Sequence, residues 1–400
     1  MRKLVVLNNV PCILAALFLL SFAFSCSSGR GGEAMEIEVV PAAGVLHFSD
    51  LYDGCGAVVP QGPMLRGIVD VEIVDSTIIV LGGTDSGMVS LYTMDGEYLY
   101  SFLQAGRGPE EMTDVRTMAY NRFTGLLDVL GYFGAVYSFD LSSGRLVKSF
   151  TLNDCEIMYA ADLLPVDADR YLFYKEMSYV DGPEYEVYLF NSSTGEVEGR
   201  WLPLDKDFAE AASFGQSNNL YEYDGHFYFY SAFLDGVYEY ASDTMTAVLR
   251  FADNGYNFTQ RMKDASYPDL FAFGDACAAS GRIWGHVSMY RIGGRTLSQY
   301  RHGKEDFYWL VMDLEQGTGI SYDMLEDDML WGVTSGVVDS PYMLLASDER
   351  FAVYTAAPYD ILDLAEECPT DDPEIMAARA RLAQLPYESN DLILLMSVRQ

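Results

Sequence analysis

The 400-residue chain carries 59 Asp and Glu against 25 Lys and Arg, a formal charge of −34. A field of that sign repels phosphate backbones and anionic lipid, because nucleic-acid affinity comes mainly from basic side chains that neutralise phosphates. No nucleic-acid partner is expected, and with half of the residues hydrophobic and 14% aromatic, a disordered acidic chain is excluded as well.

Met1-Arg2-Lys3 gives a basic start, and Val10 to Phe24 is an apolar run broken only by Pro11 and Ser21. That run is shorter than the ~20 residues a spanning helix needs and reads as a secretory signal. Ala23-Phe24-Ser25-Cys26 follows, then the small and polar Ser27-Ser28-Gly29-Arg30-Gly31-Gly32. This start resembles a bacterial lipoprotein signal. The resemblance implies cleavage before Cys26, lipidation of that cysteine, and a membrane reached through the lipid, with Ser27 favouring the outer membrane of a Gram-negative bacterium. The expected organisation is a signal over 1–25, a flexible tether over 26–35 and one domain over 36–400. Of the other cysteines, Cys55, Cys155, Cys277 and Cys368 form no CxxC pair and have no histidine at zinc-finger spacing. Free thiols are therefore expected, not a metal knuckle.

From residue 66 onward one pattern returns: an apolar strand, a polar break, an aromatic-rich strand, a tight turn and a further strand. Val89 to Leu99, Val136 to Leu146 and Val187 to Val197 each alternate large and polar residues, then offer Asp or Asn with a glycine, at Gly96, Gly144 and Gly195. That is hairpin chemistry requiring positive φ. Degraded copies occupy Val237 to Met245 and Tyr308 to Gly317. Another strand precedes each hairpin, at Ile78 to Leu81, Leu126 to Leu130, Tyr171 to Tyr174, His226 to Tyr230 and Arg282 to Val287, and Arg350 to Tyr354 opens a sixth unit. Six units of about 45 residues match the period of propeller blades, whose sheets have two apolar faces and must stack on their neighbours.

The fifth unit reads as carrying an insertion, Tyr290 to Asp306, with Arg291, Arg295, Arg301, His302 and Lys304. It is a basic segment in an acidic chain and a candidate binding loop for an anionic partner. Pro373 to Leu382 follows a capping Asp372 and is rich in alanine, which predicts a helix. Leu392 to Val398 reads as a last buried strand, expected to pair in the sixth unit with Glu36 to Val40 as its outer strand. The predicted fold is all-β, a six-bladed β-propeller with one short C-terminal helix.

Between the first and second units stands Gln104-Ala105-Gly106-Arg107-Gly108-Pro109-Glu110-Glu111-Met112. It resembles the Gly-Arg-Gly-Pro-acidic segment of the TolB-like six-bladed propeller lipoproteins and, more distantly, the glycine-rich junction of NHL repeats. The resemblance implies a propeller and transfers no catalytic residue. On physical grounds Gly106 and Gly108 are expected to supply positive φ at a structural junction, Pro109 to stiffen it, and Arg107 to pair with Glu110 or Glu111.

No catalytic constellation is legible. The histidines His47, His226, His286 and His302 form no HExxH, and Gly83 to Gly87 lacks nucleophile-turn spacing and reads as a loop between strands. No cofactor is called for. Asp167 with Asp169, or Asp327 with Asp328, could supply oxygens to Ca²⁺, though without EF-hand spacing. Trp201, Trp284, Trp309 and Trp331 are candidates for stacking on sugars or gripping peptides, though most such aromatics are filler between stacked sheets. The expected function is a membrane-anchored binding module for a protein or another extracytoplasmic ligand. The competing expectation is a metal-dependent channel enzyme of the lactonase or lyase type.

Overall fold

The computed structural model describes residues 34–40, 44–84, 87–108, 110–152, 156–176, 183–204, 218–263, 265, 267–302, 306–386 and 388–399. Met35–Gln400 forms one compact unit. Within it the chain folds into six four-stranded antiparallel sheets, an all-β, propeller-like arrangement. The first four are consecutive in sequence. They comprise Arg66–Val74, Thr77–Thr84, Gly87–Thr93 and Tyr98–Phe102; Thr117–Asn121 to Arg145–Thr151; Asp162–Pro165 to Glu196–Pro203; and Leu220–Tyr223 to Thr244–Phe251. The fifth is Ile283–Ile292, Arg295–His302, Asp306–Asp313 and Thr318–Tyr322.

Six apolar cores each lie between two successive sheets. Phe102, Leu127 and Phe139 belong to the core between the first and second, and Val80, Val353 and Ile393 to that between the sixth and first. The array therefore closes on itself. The sequence pattern follows from this stacking. Tyr185–Asn191, sandwiched on both faces, is buried almost throughout, whereas the outer strand Arg145–Thr151 alternates exposed and half-buried residues, as a strand with one covered face must. First strands abut from the first sheet through to the fourth, and from the fifth through the sixth back to the first, so these strands are innermost. We call the end at which they begin the upper face.

The turn glycines adopt the conformations their spacing predicts, with φ of 83° at Gly96 and 65° at Gly144. In the degraded fourth copy Ser242 and Asp243 take positive φ themselves, where Asp243 accepts hydrogen bonds from Tyr240 and Arg170 at 2.8 Å. Short polar side chains tolerate the left-handed region when they bond locally.

Closure differs from expectation. The sixth sheet runs Met343–Ser347, Phe351–Ala356, Leu392–Val398, Tyr52–Val58, so its outer strand is Tyr52–Val58 and not Glu36 to Val40. Met35–Val40 instead pairs in parallel with Leu249 to Phe251 of the fourth sheet and with Thr318 to Ile320 of the fifth. One strand thereby occupies the outer edges of two adjacent sheets, buries Ile37 and Val39 in the core between them, and removes edges that would otherwise template aggregation.

The fifth unit also differs. Arg282 to Val287 lies at the start of the first strand, not the second, and the expected insertion is the ordinary hairpin Ile283–Ile292 and Arg295–His302. The polar alternation of Arg295-Thr296-Leu297-Ser298-Gln299-Tyr300 disguised a strand as a loop. The true extension is residues 252–282, which contain the helix Leu270–Ala279. Its Phe273 and Cys277 pack on Trp284 and Phe258. The single late helix is likewise two, Pro358–Glu367 and Pro373–Leu382. The second starts where predicted, Asp372 accepting from Glu374 N at 2.8 Å and Ile375 N at 3.2 Å.

Candidate functional site

The innermost strand of the first sheet reads Val69-Asp70-Val71-Glu72-Ile73, placing two carboxylates among apolar residues. Asp70 reaches across to the second sheet, accepting from Thr117 Oγ1 at 2.8 Å and Met118 N at 3.1 Å. Asp162 does the same from the third sheet to the fourth, accepting from Leu220 N at 2.9 Å. Glu72 accepts from Tyr120 N at 3.4 Å. Burial raises all three above the usual carboxylate range. Asp70 reaches about 6, its bonds from Met118, Thr117 and Val71 offsetting part of the desolvation. Asp162 reaches about 7, with repulsion from Asp70 adding to burial, and Glu72 about 8 for the same two reasons. Alternating acids within an apolar first strand are the sequence signal that marks them.

On the upper face lies a cleft of about 200 Å³, lined by residues 106–108 and 111–114 together with Gly131, Phe133, Ala135 and Tyr137. Its floor is organised by Glu111, whose Oε2 accepts from Gly108 N at 2.8 Å. Ala105 and Met112 pair in parallel across the loop. Gly106 and Gly108 are required for a reason other than the expected one. Neither has positive φ among the described glycines; instead, a Cβ on either would meet the Glu111 carboxylate, at 2.0 Å from Gly106 and 2.9 Å from Gly108. Nor does Arg107 pair with Glu110 or Glu111. Among the described residues it is exposed and makes no ion pair, because Glu111 is turned inward to the backbone. Pro109 lies outside the described residues.

Phe133 and Tyr137 give the cleft an aromatic wall, and Tyr132 and Tyr159 pack against Phe133. Tyr132, Phe133 and Tyr159 meet edge to face at centroid distances of 5.4 to 6.0 Å, and Phe133 is 54% exposed. Arg116 lies over the Tyr132 ring at 5.3 Å, pairs with Glu176 at 3.1 Å and donates to Ala161 O. Asp114 Oδ1 accepts from Tyr132 N at 2.8 Å, fixing the loop that presents the rings. The arrangement offers a cation, carboxylate and hydroxyl hydrogen-bonding groups and an apolar wall within one concavity, the makeup of a recognition site.

The basic segment is not brought together. Arg291 and Arg295 flank the lower turn, where Arg291 covers the Tyr223 ring at 5.1 Å and Arg295 donates to Asp50 O at 2.7 Å. Arg301 and His302 lie about 20 Å away along the strand, at about 3.4 Å per residue. There Arg301 sits between Trp284 and Phe307, at 4.7 and 4.8 Å, and His302 stacks on Tyr256. Cation–π stacking within the sheet accounts for these cations. Lys304 and Cys26 lie outside the described residues, as do Cys155, Asp85 and Ser86.

The carboxylates considered for Ca²⁺ are occupied within the fold. Asp167 is bound to Asp169 N, Arg170 N and the Arg170 guanidinium. Asp327 accepts from Leu330 N, Trp331 N and Tyr342 Oη, while Asp328 holds Ser49. Among the described residues no group of three or more His, Cys, Asp or Glu is placed to hold a metal. Cys55, Cys277 and Cys368 are free thiols. Trp284, Trp309 and Trp331 are buried in the cores.

The sequence matches a domain of unknown function, DUF4934, over residues 63–397. The chain belongs to that family. The DUF4934 match therefore begins just before the first sheet and ends in the third strand of the sixth. A crystal structure of a presumed exported protein from Bacteroides fragilis NCTC 9343 superposes with a TM-score of 0.68 at 11% identity. It covers 92% of this chain and 100% of that one, so the fold is shared. The extracellular domain of a presumed hybrid two-component system from B. thetaiotaomicron gives a TM-score of 0.36 at 10% identity, over 64% of this chain and 28% of that one. No curated protein matches the sequence. No helix among the described residues is long and apolar enough to cross a membrane.

Proposed function

We propose that this DUF4934 chain is an extracytoplasmic lipoprotein, a six-bladed propeller of the TolB-like kind, anchored to the outer membrane through Cys26 and acting as a binding module. The observation that carries the binding role is the upper-face cleft, which exposed Arg107 and the aromatic Phe133 both line. The signal-like start, Cys26 and the polar tether after it support the anchor.

Two measurements test this. Radioactive palmitate should label the wild type and not Cys26→Ser; equal labelling of both refutes the anchor. Immobilised protein should select ligands from a glycan panel and a random peptide library, and their binding should fall when Thr113→Trp fills the cleft. Selected ligands that bind Thr113→Trp as well as wild type refute the site.

A further inference from the structure

Exposed apolar side chains gather on the upper face over three successive sheets. Met343 (51% exposed) opens the innermost strand of the sixth sheet, and Tyr359 begins the helix that follows its second strand. Met64 and Val69 lead into the first sheet, and Tyr132 and Phe133 project from the second. The innermost strands of these sheets abut, so the side chains form an arc beside the cleft. Exposed apolar side chains grouped at one end of a fold and rimmed by polar residues mark interaction sites.

Charge selects among the occupants. Glu110 and Asp114 border the cleft, and beside Tyr359 stand Asp360 and Asp363, where burial and the Asp363 charge together raise the Asp360 carboxyl. Of the cations at the cleft, Arg116 is already paired with Glu176, and exposed Arg107 is outnumbered by these carboxylates. A second copy of the chain would bring another −34 to the contact, and anionic lipid is repelled for the same reason. We propose that the upper face docks a polypeptide segment in which apolar side chains are flanked by Lys or Arg, the apolar residues covering the arc and the cations meeting the carboxylates. This rests on the binding-module reading and names its ligand class.

The test uses the full chain bearing Cys26→Ser, with fluorescein-labelled peptides of alternating Leu and Lys, Leu and Glu, or Lys and Gln, read by anisotropy. The Leu–Lys peptide should bind saturably, and about tenfold more tightly than either control. Phe133→Ser combined with Met343→Ser should weaken it about tenfold, with an unchanged melting temperature, while Phe123→Ser on the lower face should not. Equal binding of the Lys–Gln peptide, or equal loss in Phe123→Ser, overturns the proposal. So does self-association in sedimentation that Phe133→Ser abolishes, or binding to phosphatidylglycerol vesicles in preference to peptide. Should the glycan panel yield cleft ligands while Leu–Lys peptides fail, the binding-module reading stands and this inference falls.

Discussion

Replacing Glu72 by Gln should stabilise the protein at neutral and alkaline pH and leave it unchanged in acid. Glu72 titrates near 8 when folded against an ordinary value of 4.5, chiefly because protein surrounds it and secondarily because Asp70 stands beside it. Between those values the folded state holds a proton that the unfolded chain has released, so stability is full below about 4.5 and declines as pH rises toward about 8. Each pH unit in that window is about 1.4 kcal/mol, which sets an upper bound of about 3 kcal/mol at pH 7. Water still reaches the half-buried group, and screening brings the expected effect to about 1–2 kcal/mol. Gln is near-isosteric, keeps an oxygen for Tyr120 N and has no charge to desolvate. Urea unfolding at pH 4.5, 6 and 8 should show a gain for Glu72→Gln that is absent at the first and largest at the last. A gain independent of pH, or a loss at pH 8, would refute the reasoning that desolvation of this carboxylate opposes folding.

Further predictions concern closure and the cleft. Leu394 projects into the core between the fifth and sixth sheets, so Leu394→Ala should cost about 2–5 kcal/mol in chemical denaturation; removal of residues 391–400 should abolish cooperative unfolding, and a truncated chain with an unchanged melting curve would sink the closure. Deleting residues 1–43 uncovers the outer edges of the fourth and fifth sheets, and light scattering should show aggregation on warming that the intact chain lacks; equal scattering would count against the bridging strand. Gly106→Ala should destabilise by about 1–3 kcal/mol, with much of the loss recovered in Gly106→Ala combined with Glu111→Ala. If the double variant is no better than the single, the Glu111 carboxylate is not what excludes a side chain there.

The sequence by itself determined what local chemistry controls. Asp or Asn with glycine sets each hairpin, as at Gly144 and Gly195, and Asp372 with Pro373 starts a helix. Strands buried on both faces announce themselves as unbroken apolar runs, and Leu392–Val398 was read correctly for that reason. Even-numbered Leu392, Leu394 and Met396 enter one core while odd-numbered Ile393 and Leu395 enter the next, a division set by the two-residue period of a strand.

Tertiary structure decided whatever depends on partners distant in sequence. Tyr52–Val58, with two glycines and an Asp, is the poorer strand former by composition, yet the edges available in the closed array make it the outer strand of the sixth sheet and send Met35–Val40 to the fourth and fifth. The basic residues appeared to be one loop because spacing along the chain says nothing of the 20 Å that a strand of about 3.4 Å per residue puts between its ends. The carboxylates of the innermost strands are ordinary acids until strands from different sheets converge and take away their water, and the cleft exists only where residues 106–108 and 111–114 meet Phe133 and Tyr137. Desolvation and concavity are properties of the packed assembly, so no local pattern of residues encodes them.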